Sequence, residues 1–174
     1  MHDIYLWNSP IGMLKLCADK DRITEVSLLQ NASDRNVIQN SMLQNSVSHS
    51  DLLYEAYTQL QEYFAGKRTQ FELPIHNAGT AFQQRVWQGL RQIPYGETRS
   101  YQDLAVAIGN PKACRAVGQA NNKNPLLIIN PCHRVIHKNG DITGFGCGTE
   151  VKRYLLNLEN TSKRCESTKQ FLAK

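Results

Sequence analysis

The sequence lacks several features that would assign a protein class directly. Its 174 residues contain no apolar run near the roughly 20 residues that a membrane-spanning helix needs. The N-terminus has no basic stretch followed by an apolar run, so we expect neither a membrane span nor a signal peptide. Its five cysteines form no C-x-x-C pair, which argues against a zinc knuckle or a secreted disulfide framework and favours a reducing cytoplasm.

Charge is present in ordinary amount but is unevenly distributed. Residues 1–77 carry a net charge of −3, and residues 78–174 carry a net charge of +8. This asymmetry suggests two units, of which the second is suited to meet a polyanion such as nucleic acid. A solvated basic face without a partner predicts the same imbalance, so charge alone leaves both interpretations open.

The first unit, residues 1–77, is predicted to be an α/β domain. Three strand-like segments separated by turn residues predict a β-meander: 4–7, 11–17 and 23–29. Residues 31–50 are rich in Asn, Ser and Gln and predict a loop with at most one short helix. Asp51 is a candidate N-cap for an amphipathic helix, and extended residues 71–75 then lead to a linker.

The second unit, residues 78–160, has a helical rhythm. Thr80 with Gln83 and Ser100 with Asp103 are capping boxes that each predict a helix start. Asn110, followed by Pro111 at the first helical position, predicts a third helix through Gln119. Two short helices joined by a tight turn are typical of a helix-turn-helix.

The rest of the second unit predicts mixed structure. Residues 126–129 are predicted to be extended, and the Asn139-Gly140 dipeptide favours a hairpin turn. A last amphipathic helix begins at about Thr149, with its apolar side chains directed inward: Val151, Tyr154, Leu155 and Leu158. Beyond it, residues 161–174 are predicted to form a flexible tail.

The segment around Cys132 and His133 holds the highest density of side chains that could take part in catalysis. A cysteine is nucleophilic only as its thiolate, and an ordinary thiol pKa of about 8.5 leaves little thiolate at neutral pH. His133 and Arg134 follow directly in sequence and supply a candidate base and a positive charge. Adjacent strand residues point to opposite faces, so contact needs a turn or a bridging water. Taken alone, the dipeptide favours a buried structural cysteine beside a capping histidine.

The run Pro131-Cys132-His133-Arg134-Val135 resembles the active-site motif of the O6-alkylguanine-DNA alkyltransferases, also called methylated-DNA–protein-cysteine methyltransferases. The resemblance extends over residues ~80–160 in fixed order. Its further motifs are Ile93-Pro94-Tyr95-Gly96-Glu97-Thr98, Ser100-Tyr101, Gly109 to Ala113, Arg115 to Gly118, Asn124-Pro125, and Lys152 with Leu155-Leu156 before Glu159.

The resemblance implies an activity and a catalytic set. Cys132 would attack the alkyl carbon on O6 of guanine once, giving S-alkylcysteine without any cofactor. His133 would accept the thiol proton through a water, and Glu159 would orient the imidazole. Asn124 would hold the active-site turn, and Tyr101 would donate to the base as negative charge develops on it. Activity on O4-alkylthymine is left open.

The resemblance also implies a partner, double-stranded DNA that contains O6-alkylguanine. Arg115 would enter the base stack in place of the flipped nucleotide, and Tyr101 would contact its phosphate. Small residues would let the same helix approach the backbone in the minor groove: Ala113, Cys114, Ala116 and Gly118. The substrate pocket would be lined by Pro131, Val135, Phe145, Gly146 and Lys152. We expect a cytoplasmic monomer without membrane attachment.

The sequence departs from the family pattern at four positions. Asn130 replaces a usual aliphatic residue, Phe145 a frequent Tyr, Cys147 a usual Gly and Cys114 a small Ala. Some relatives carry zinc in the first domain, but no ligand set can be assembled here from Cys17, His2, His49 and His76, so no metal is predicted.

Two other classes of function remain as alternatives. A cysteine-dependent hydrolase would use Cys132, His133 and Asn124 for repeated acyl transfer. A helix-turn-helix regulator would bind a DNA sequence with a silent cysteine. The preferred expectation is an α/β N-terminal domain, an RNase-H-like sheet plus a helix, followed by a mainly α, winged helix-turn-helix DNA-binding domain.

Overall fold

The computed structural model describes residues 2–30 and 50–172, with side chains described for 3–30 and 50–162. The loop predicted for residues 31–50 therefore lies, apart from its last residue, outside the described part of the chain. Within that part, no helix combines the length and the apolar character needed to cross a bilayer.

An antiparallel sheet opens the chain. In space as in sequence, its strands follow the order β1 (His2–Ser9), β2 (Gly12–Asp19) and β3 (Arg22–Leu28). Leu16 of β2 lies opposite Val26 of β3, and both are fully buried. Leu14, two residues before Leu16, is buried as well, because alternate residues of a strand share one face. The predicted β-meander is confirmed.

Helix α1 (Asp51–Phe64) packs against this sheet through aromatic contacts. The Tyr57 ring meets the Trp7 ring edge-on, with centroids 5.2 Å apart. The predicted cap at Asp51 is wrong by one residue. The extended residue Ser50 caps the helix through its hydroxyl, and Asp51 instead places a negative charge in the first turn.

Three helices build most of the second unit: α2 (Ala81–Arg91), α3 (Tyr101–Ala107) and α4 (Cys114–Asn122). Both predicted capping boxes are present, at Thr80 and at Ser100. Gly79, just before α2, packs so closely under Trp87 that a Cβ there would lie 2.5 Å from the indole ring. A larger residue at position 79 would collide with the Trp87 ring and force it to move.

The predicted start of the third helix is wrong. Asn110 and Pro111 do not open α4; the Ala113 N–H instead donates to the Asn110 carbonyl at 3.0 Å and closes a separate turn. The Gln102 side chain donates to the Pro111 carbonyl at 2.9 Å and ties this turn to α3. The helix therefore begins later than expected and continues past Gln119, in the predicted helix-turn-helix arrangement with α3.

The segment predicted to be extended at 126–129 forms β-bridges only at Leu126 and Leu127, and residues 128–129 are a tight turn. The Asn130 N–H donates to the Leu126 carbonyl at 2.8 Å, and Ile128 has a φ of +73°. A short 3-10 helix (Cys132–Arg134) follows and leads into β5 (Val135–Ile136). The sequence prediction fails here because side-chain contacts, described below, override the β preference of the Leu-Ile run.

The small second sheet pairs β5 with β4 (Arg99–Ser100) in parallel. The turn predicted at Asn139-Gly140 forms, with the Gly140 N–H donating to the His137 carbonyl at 2.9 Å. Over residues 50–172, however, it joins no pair of regular strands, so only the turn of the predicted hairpin is present.

The last helix, α5 (Thr149–Leu172), begins where the sequence predicts but continues beyond the expected end near residue 160. Its buried face carries Lys152, Leu155 and Glu159. Tyr154, predicted to point inward, is 39% exposed, because the helical turn that buries positions 152, 155 and 159 directs position 154 toward solvent.

The two units share one hydrophobic core and meet along β3. Along the edge that is not paired with β2, β3 bridges Ile75 through Ile23 and Leu126 through Val26. The second bridge comprises bonds from the Val26 N–H to the Pro125 carbonyl (2.9 Å) and from the Leu127 N–H to the Val26 carbonyl (2.8 Å). The predicted fold class, an α/β unit before a mainly helical winged helix-turn-helix unit, is confirmed.

Candidate active site

Asn124 holds together the turn that leads to Cys132. Its Nδ2 lies 2.9 Å from the Asn130 carbonyl oxygen and 3.1 Å from the Cys132 sulfur. Its Oδ1 accepts from the Leu126 N–H and from the Asn130 side chain, both at 3.0 Å. One amide therefore spans the turn and directs an N–H at the thiol.

The turn is strained at Ile128. A β-branched side chain at a φ of +73° is unusual and costs on the order of 1–3 kcal/mol. Ile128 is nevertheless buried, and the surrounding Asn124 and Asn130 hydrogen bonds hold the conformation. Packing, rather than local preference, thus fixes where Cys132 lies.

His133 is fully buried and bound to Glu159. Its Nε2 lies 2.7 Å from Glu159 Oε1, while Nδ1 has no hydrogen-bond partner among the described residues. Since an ionised carboxylate only accepts, Nε2 carries the proton and Nδ1 presents its lone pair. Burial lowers the pKa of His133, although Glu159 opposes this, so the imidazole is neutral and able to accept a proton.

Glu159 is the most heavily bonded carboxylate of the site. It accepts from Arg134 at 2.9 Å, from the Tyr63 hydroxyl at 2.8 Å and from the Gly96 N–H at 2.9 Å, besides His133. Burial alone would raise the pKa of this carboxyl, but the hydrogen bonds and charges of His133 and Arg134 lower it to about 2. Glu159 is therefore ionised throughout the neutral range.

The Cys132 thiol lies at the floor of this arrangement, with the residue only 3% exposed. Burial raises the pKa of Cys132 to about 12, while the Asn124 N–H and the Lys152 ammonium act in the opposite direction. The thiol is thus protonated at neutral pH in the free protein. Among the described residues it shares no direct hydrogen bond with the neighbouring imidazole.

Three of the five residues predicted for the substrate pocket, Val135, Phe145 and Lys152, come together with Tyr101 around a buried ammonium. Lys152 is fully buried, donates to the Val135 carbonyl at 2.6 Å, and lies 5.9 Å from the Tyr101 ring centre and 5.4 Å from that of Phe145. Burial lowers the pKa of Lys152, and the two aromatic faces and the carbonyl stabilise its charge. The Lys152 side chain therefore holds the Val135 backbone and the Tyr101 and Phe145 rings in place.

The other two predicted pocket residues lie apart from this cluster. Pro131 borders a different cleft, of about 420 Å³, together with Tyr95 and Arg134. Gly146 is exposed, and a Cβ there would come 3.6 Å from the Asn122 carbonyl. The structure places neither beside the Lys152 ammonium.

An open cleft of about 700 Å³ runs between the helix-turn-helix and the loop after β5. Its lining comprises Ser100, Tyr101, Gln102, Cys114, Arg115, Gly118, Asn122, His137, Lys138 and Gly144. Four predicted DNA-contacting residues are thus part of its wall, and Arg115 is exposed there. Ala113 and the exposed Ala116 lie at the start of the same helix but do not border the cleft. Cys132 does not border the cleft either. It lies close enough to the buried Tyr101 hydroxyl that, besides burial, charge on the sulfur raises the pKa of Tyr101.

Sequence analysis missed the contribution of Tyr63. Its hydroxyl donates to Glu159 across 96 positions of sequence, from the helix of the first unit. At its position in an amphipathic helix Tyr63 is indistinguishable from an ordinary core aromatic, so no local pattern identifies it. Arg134 was named only as a nearby charge, yet it clamps Glu159 and donates to the Ile93 carbonyl at 2.6 Å.

Two buried asparagines were also missed. Asn121 donates to the Cys132 carbonyl at 3.3 Å, and its Oδ1 has no partner among the described residues. Asn130 was noticed only as a departure from the family pattern, and it lies fully buried between Asn124 and other polar groups. Within the described residues, no three His, Cys, Asp or Glu side chains form a metal-binding group.

Two family models match the chain. The model of the 6-O-methylguanine DNA methyltransferase ribonuclease-like domain covers residues 4–76, and that of the DNA-binding domain of the same family covers residues 81–161. Together they span both units of the fold.

Curated relatives agree with these models. The constitutive methylated-DNA–protein-cysteine methyltransferase of Bacillus subtilis is 50% identical over 157 residues, which cover 88% of this chain and 93% of the relative. The methylated-DNA–protein-cysteine methyltransferase of Methanosarcina acetivorans is 44% identical over 156 residues, 90% of this chain and 97% of the relative.

Solved structures give the same result. The crystal structure of Mycobacterium tuberculosis O6-methylguanine methyltransferase superposes with a TM-score of 0.80 at 42% identity, covering 93% of this chain and 94% of that one. The same organism's OGT in complex with DNA superposes with a TM-score of 0.77 at 42% identity, covering 92% and 93%. With both family models matched in order and half of all aligned residues shared with the Bacillus relative, the chain belongs to the methylated-DNA–protein-cysteine methyltransferase family.

Proposed function

We propose that this protein repairs DNA by moving an alkyl group, such as methyl, from O6 of guanine in double-stranded DNA onto the sulfur of Cys132. One observation carries the proposal: the buried thiol accepts an amide N–H, and the next residue is a neutral imidazole whose free Nδ1 is a base. Both belong to a basic unit with a helix-turn-helix.

The first step is activation of the thiol. His133 accepts the Cys132 proton at Nδ1 through a bridging water, and the ionised Glu159 stabilises the imidazolium that forms. The Asn124 N–H and the Lys152 ammonium favour the thiolate electrostatically. Because burial opposes ionisation, the thiolate exists only while these groups hold it, which restricts its reaction to a substrate placed against it.

The second step is a single displacement at carbon. The thiolate forms a bond to the alkyl carbon while the bond from that carbon to O6 breaks, and the electron pair stays on the guanine. The guanine then takes up a proton, which balances the one that left the thiol. The products are an S-alkylcysteine and an intact guanine, and no further reactant is required.

The leaving base is stabilised at the pocket wall. Tyr101 lies beside Cys132, and its hydroxyl is the group we assign to donate to the base as charge develops on the ring. Lys152 braces this ring and that of Phe145 by its position between them. Preorganised donors of this kind lower the barrier because they need no rearrangement during the reaction.

DNA binding delivers the base. A purine inside a duplex cannot present O6 to a buried sulfur, so the nucleotide has to leave the stack, which costs a few kcal/mol. Arg115 is exposed in the wall of the cleft, which supports our assignment of this side chain to fill the gap that the nucleotide leaves. The net charge of +8 on residues 78–174 supplies attraction to phosphates regardless of sequence.

A thioether is too stable to release its alkyl group, so each molecule acts once, as a monomer and without a cofactor. We assign it to the cytoplasm, since the reaction needs a reduced thiol and the four described cysteines are all free.

The test is to incubate the protein with duplex DNA containing O6-methylguanine labelled in its methyl group, and to locate the label by peptide mass analysis. We expect at most one label per molecule, on Cys132, and none in Cys132→Ala. Turnover beyond one label per protein would favour the cysteine-dependent hydrolase. Sequence-selective DNA binding without any covalent product, unchanged in Cys132→Ala, would favour the regulator.

A further inference from the structure

The side chain of Asn130 joins three polar groups from separate parts of the chain. Its Oδ1 accepts from Arg91 at 2.7 Å, and its Nδ2 donates to Asn77 Oδ1 and to Asn124 Oδ1, both at 3.0 Å. Asn130 is fully buried. Both hydrogens of the amide are therefore used, and its oxygen is bound to a cation.

These contacts have a fixed direction. The guanidinium of Arg91 only donates, so the atom that faces it has to be the oxygen of the Asn130 amide. The NH2 group of Asn130 then faces Asn124, and the Asn124 atom that meets it has to be an oxygen. Once that oxygen is committed, the NH2 group of Asn124 is left to face the Cys132 sulfur.

We propose that Asn130 is a positioning residue: anchored by Arg91, it fixes the orientation of the Asn124 amide so that a donor, rather than an acceptor, faces the Cys132 sulfur. The reverse orientation would place the Asn124 oxygen at that sulfur and repel a thiolate. The functional consequence rests on the proposed transfer to Cys132, but the orientation itself is a property of the protein without DNA.

Backbone groups support the same orientation: Asn124 Nδ2 donates to the Asn130 carbonyl at 2.9 Å and to the Leu126 carbonyl at 3.3 Å. The Leu126 N–H also donates to Asn124 Oδ1, at 3.0 Å. Loss of the Asn130 side-chain amide is therefore expected to weaken the preferred orientation of the Asn124 amide without reversing it. Arg91 stands one step further from the sulfur, so its removal is expected to act in the same direction with a smaller effect.

The first measurement titrates the Cys132 thiolate through its reactivity: the rate of alkylation by iodoacetamide is followed over pH values at which the protein stays folded, and the rate of the same protein with Cys132→Ser is subtracted. Asn130→Leu keeps the approximate volume and removes both polar ends. We expect it to raise the apparent pKa of Cys132 by about one unit, which lowers the thiolate fraction about tenfold at a fixed pH below that pKa. An unchanged pKa in folded Asn130→Leu overturns the proposal.

A matched control separates positioning from a merely structural role. Asn77→Ala removes the other partner of Asn130 Nδ2 and leaves the contacts to Arg91 and Asn124 in place. It should leave the pKa of Cys132 unchanged, whatever it does to stability. An equal rise in Asn77→Ala and Asn130→Leu would mean that general loosening is responsible, and would overturn the proposal.

A double-mutant cycle tests the route. In an Asn124→Ala background, Asn130→Leu should cause no further rise in the pKa, because the amide that it orients is gone. Additive rises would contradict the proposed route. Should Asn130→Leu fail to fold, Arg91→Met on the protein surface decides alone: a rise supports the inference, and no change refutes it.

The alkyl-transfer rate separates this inference from the proposed function. If the unmodified protein transfers no alkyl group to Cys132, the proposed function fails while the thiolate titration still decides the role of Asn130. If transfer occurs, Asn130→Leu should slow it about tenfold at neutral pH, in parallel with the lost thiolate.

Discussion

The two units of this protein contribute to the site in opposite ways. The second unit, with its net charge of +8, supplies the thiol that we propose as nucleophile, the imidazole that we propose as base, and the cleft. The first unit, with its net charge of −3, supplies one hydroxyl, that of Tyr63, and a strand edge that braces the active-site turn. Chemistry is thus concentrated in one unit, while the other stabilises the geometry on which that chemistry depends.

This division of roles between the two units shows where the fold accommodates a buried charge. The ionised Glu159 is buried at the junction of the units and is compensated by Arg134 from the second unit and by Tyr63 from the first. A buried carboxylate of this kind stabilises the fold only as long as its donors remain in place. Three substitutions test this division of roles.

The largest effect on stability is expected for Glu159→Gln. The change keeps the shape but leaves the nearly buried Arg134 guanidinium without its counter-charge, which costs about 3–5 kcal/mol in buried pairs. The free energy of unfolding, measured with a chemical denaturant, should fall by that amount. A loss below about 1 kcal/mol would show that the two units do not depend on this carboxylate.

The acid dependence of stability provides a check on the same residue. The pKa of Glu159 is about 2 in the folded protein against 4.5 as its ordinary value, so its contribution is fully present above pH 4.5 and is lost as the pH falls toward 2. His133, whose pKa is lowered by burial, adds a loss in the same direction below pH 6.5. The difference in unfolding free energy between the unmodified protein and Glu159→Gln should therefore narrow between pH 4.5 and 2.

A smaller effect is expected for Tyr63→Phe, which removes the only side-chain hydrogen bond that the first unit, within its described residues, makes to Glu159. Loss of a hydrogen bond to a buried charge costs about 1.5–3 kcal/mol. Tyr57→Phe on the same helix is the control, because within the described part of the chain its hydroxyl hydrogen-bonds only with the exposed Gln61 side chain and should matter little. Equal losses in both variants would mean that the helix, not the hydroxyl, carries the effect.

The smallest effect on stability, and a selective one on activity, is expected for Arg115→Ala. Arg115 is exposed, so the denaturation midpoint should not move. Transfer from duplex DNA should slow at least about tenfold, since extrusion of the base loses its support, while transfer from the free O6-alkylguanine base stays the same.

Lys123→Ala, at the other end of the same helix, removes an equal charge and should leave transfer from saturating duplex nearly unaffected. Equal slowing on duplex and free base in Arg115→Ala would remove the assignment of Arg115 to the vacated stack.

Much of the fold follows from local signals in the sequence. Both capping boxes and the β-meander lie where turn residues and apolar alternation predict them. The errors fall where a distant side chain decides the backbone: Gln102 holds the turn before α4, and Asn124 bends the Leu-Ile run that was expected to be extended. No window of local sequence contains these contacts.

The site divides in the same way. The residues in and around the Cys132 motif were found because they are contiguous, and Glu159 because it follows a recognisable run. Their implied roles remain predictions, although the structure pairs Cys132 with Asn124 and His133 with Glu159 through hydrogen bonds. Tyr63 and Asn130 act through contacts 96 and 53 positions away, and nothing in their local sequence indicates them.

The two bridges along the outer edge of β3 have a consequence for dividing the chain. Residue 77 separates the two family models, yet β3 hydrogen-bonds with Pro125 and Leu127 of the second unit as well as with Pro74 just before that boundary. Expressed alone, either half would expose backbone groups that its counterpart now covers, an open edge that invites self-association. The halves are expected to need each other for solubility, and they should be produced together rather than as excised fragments.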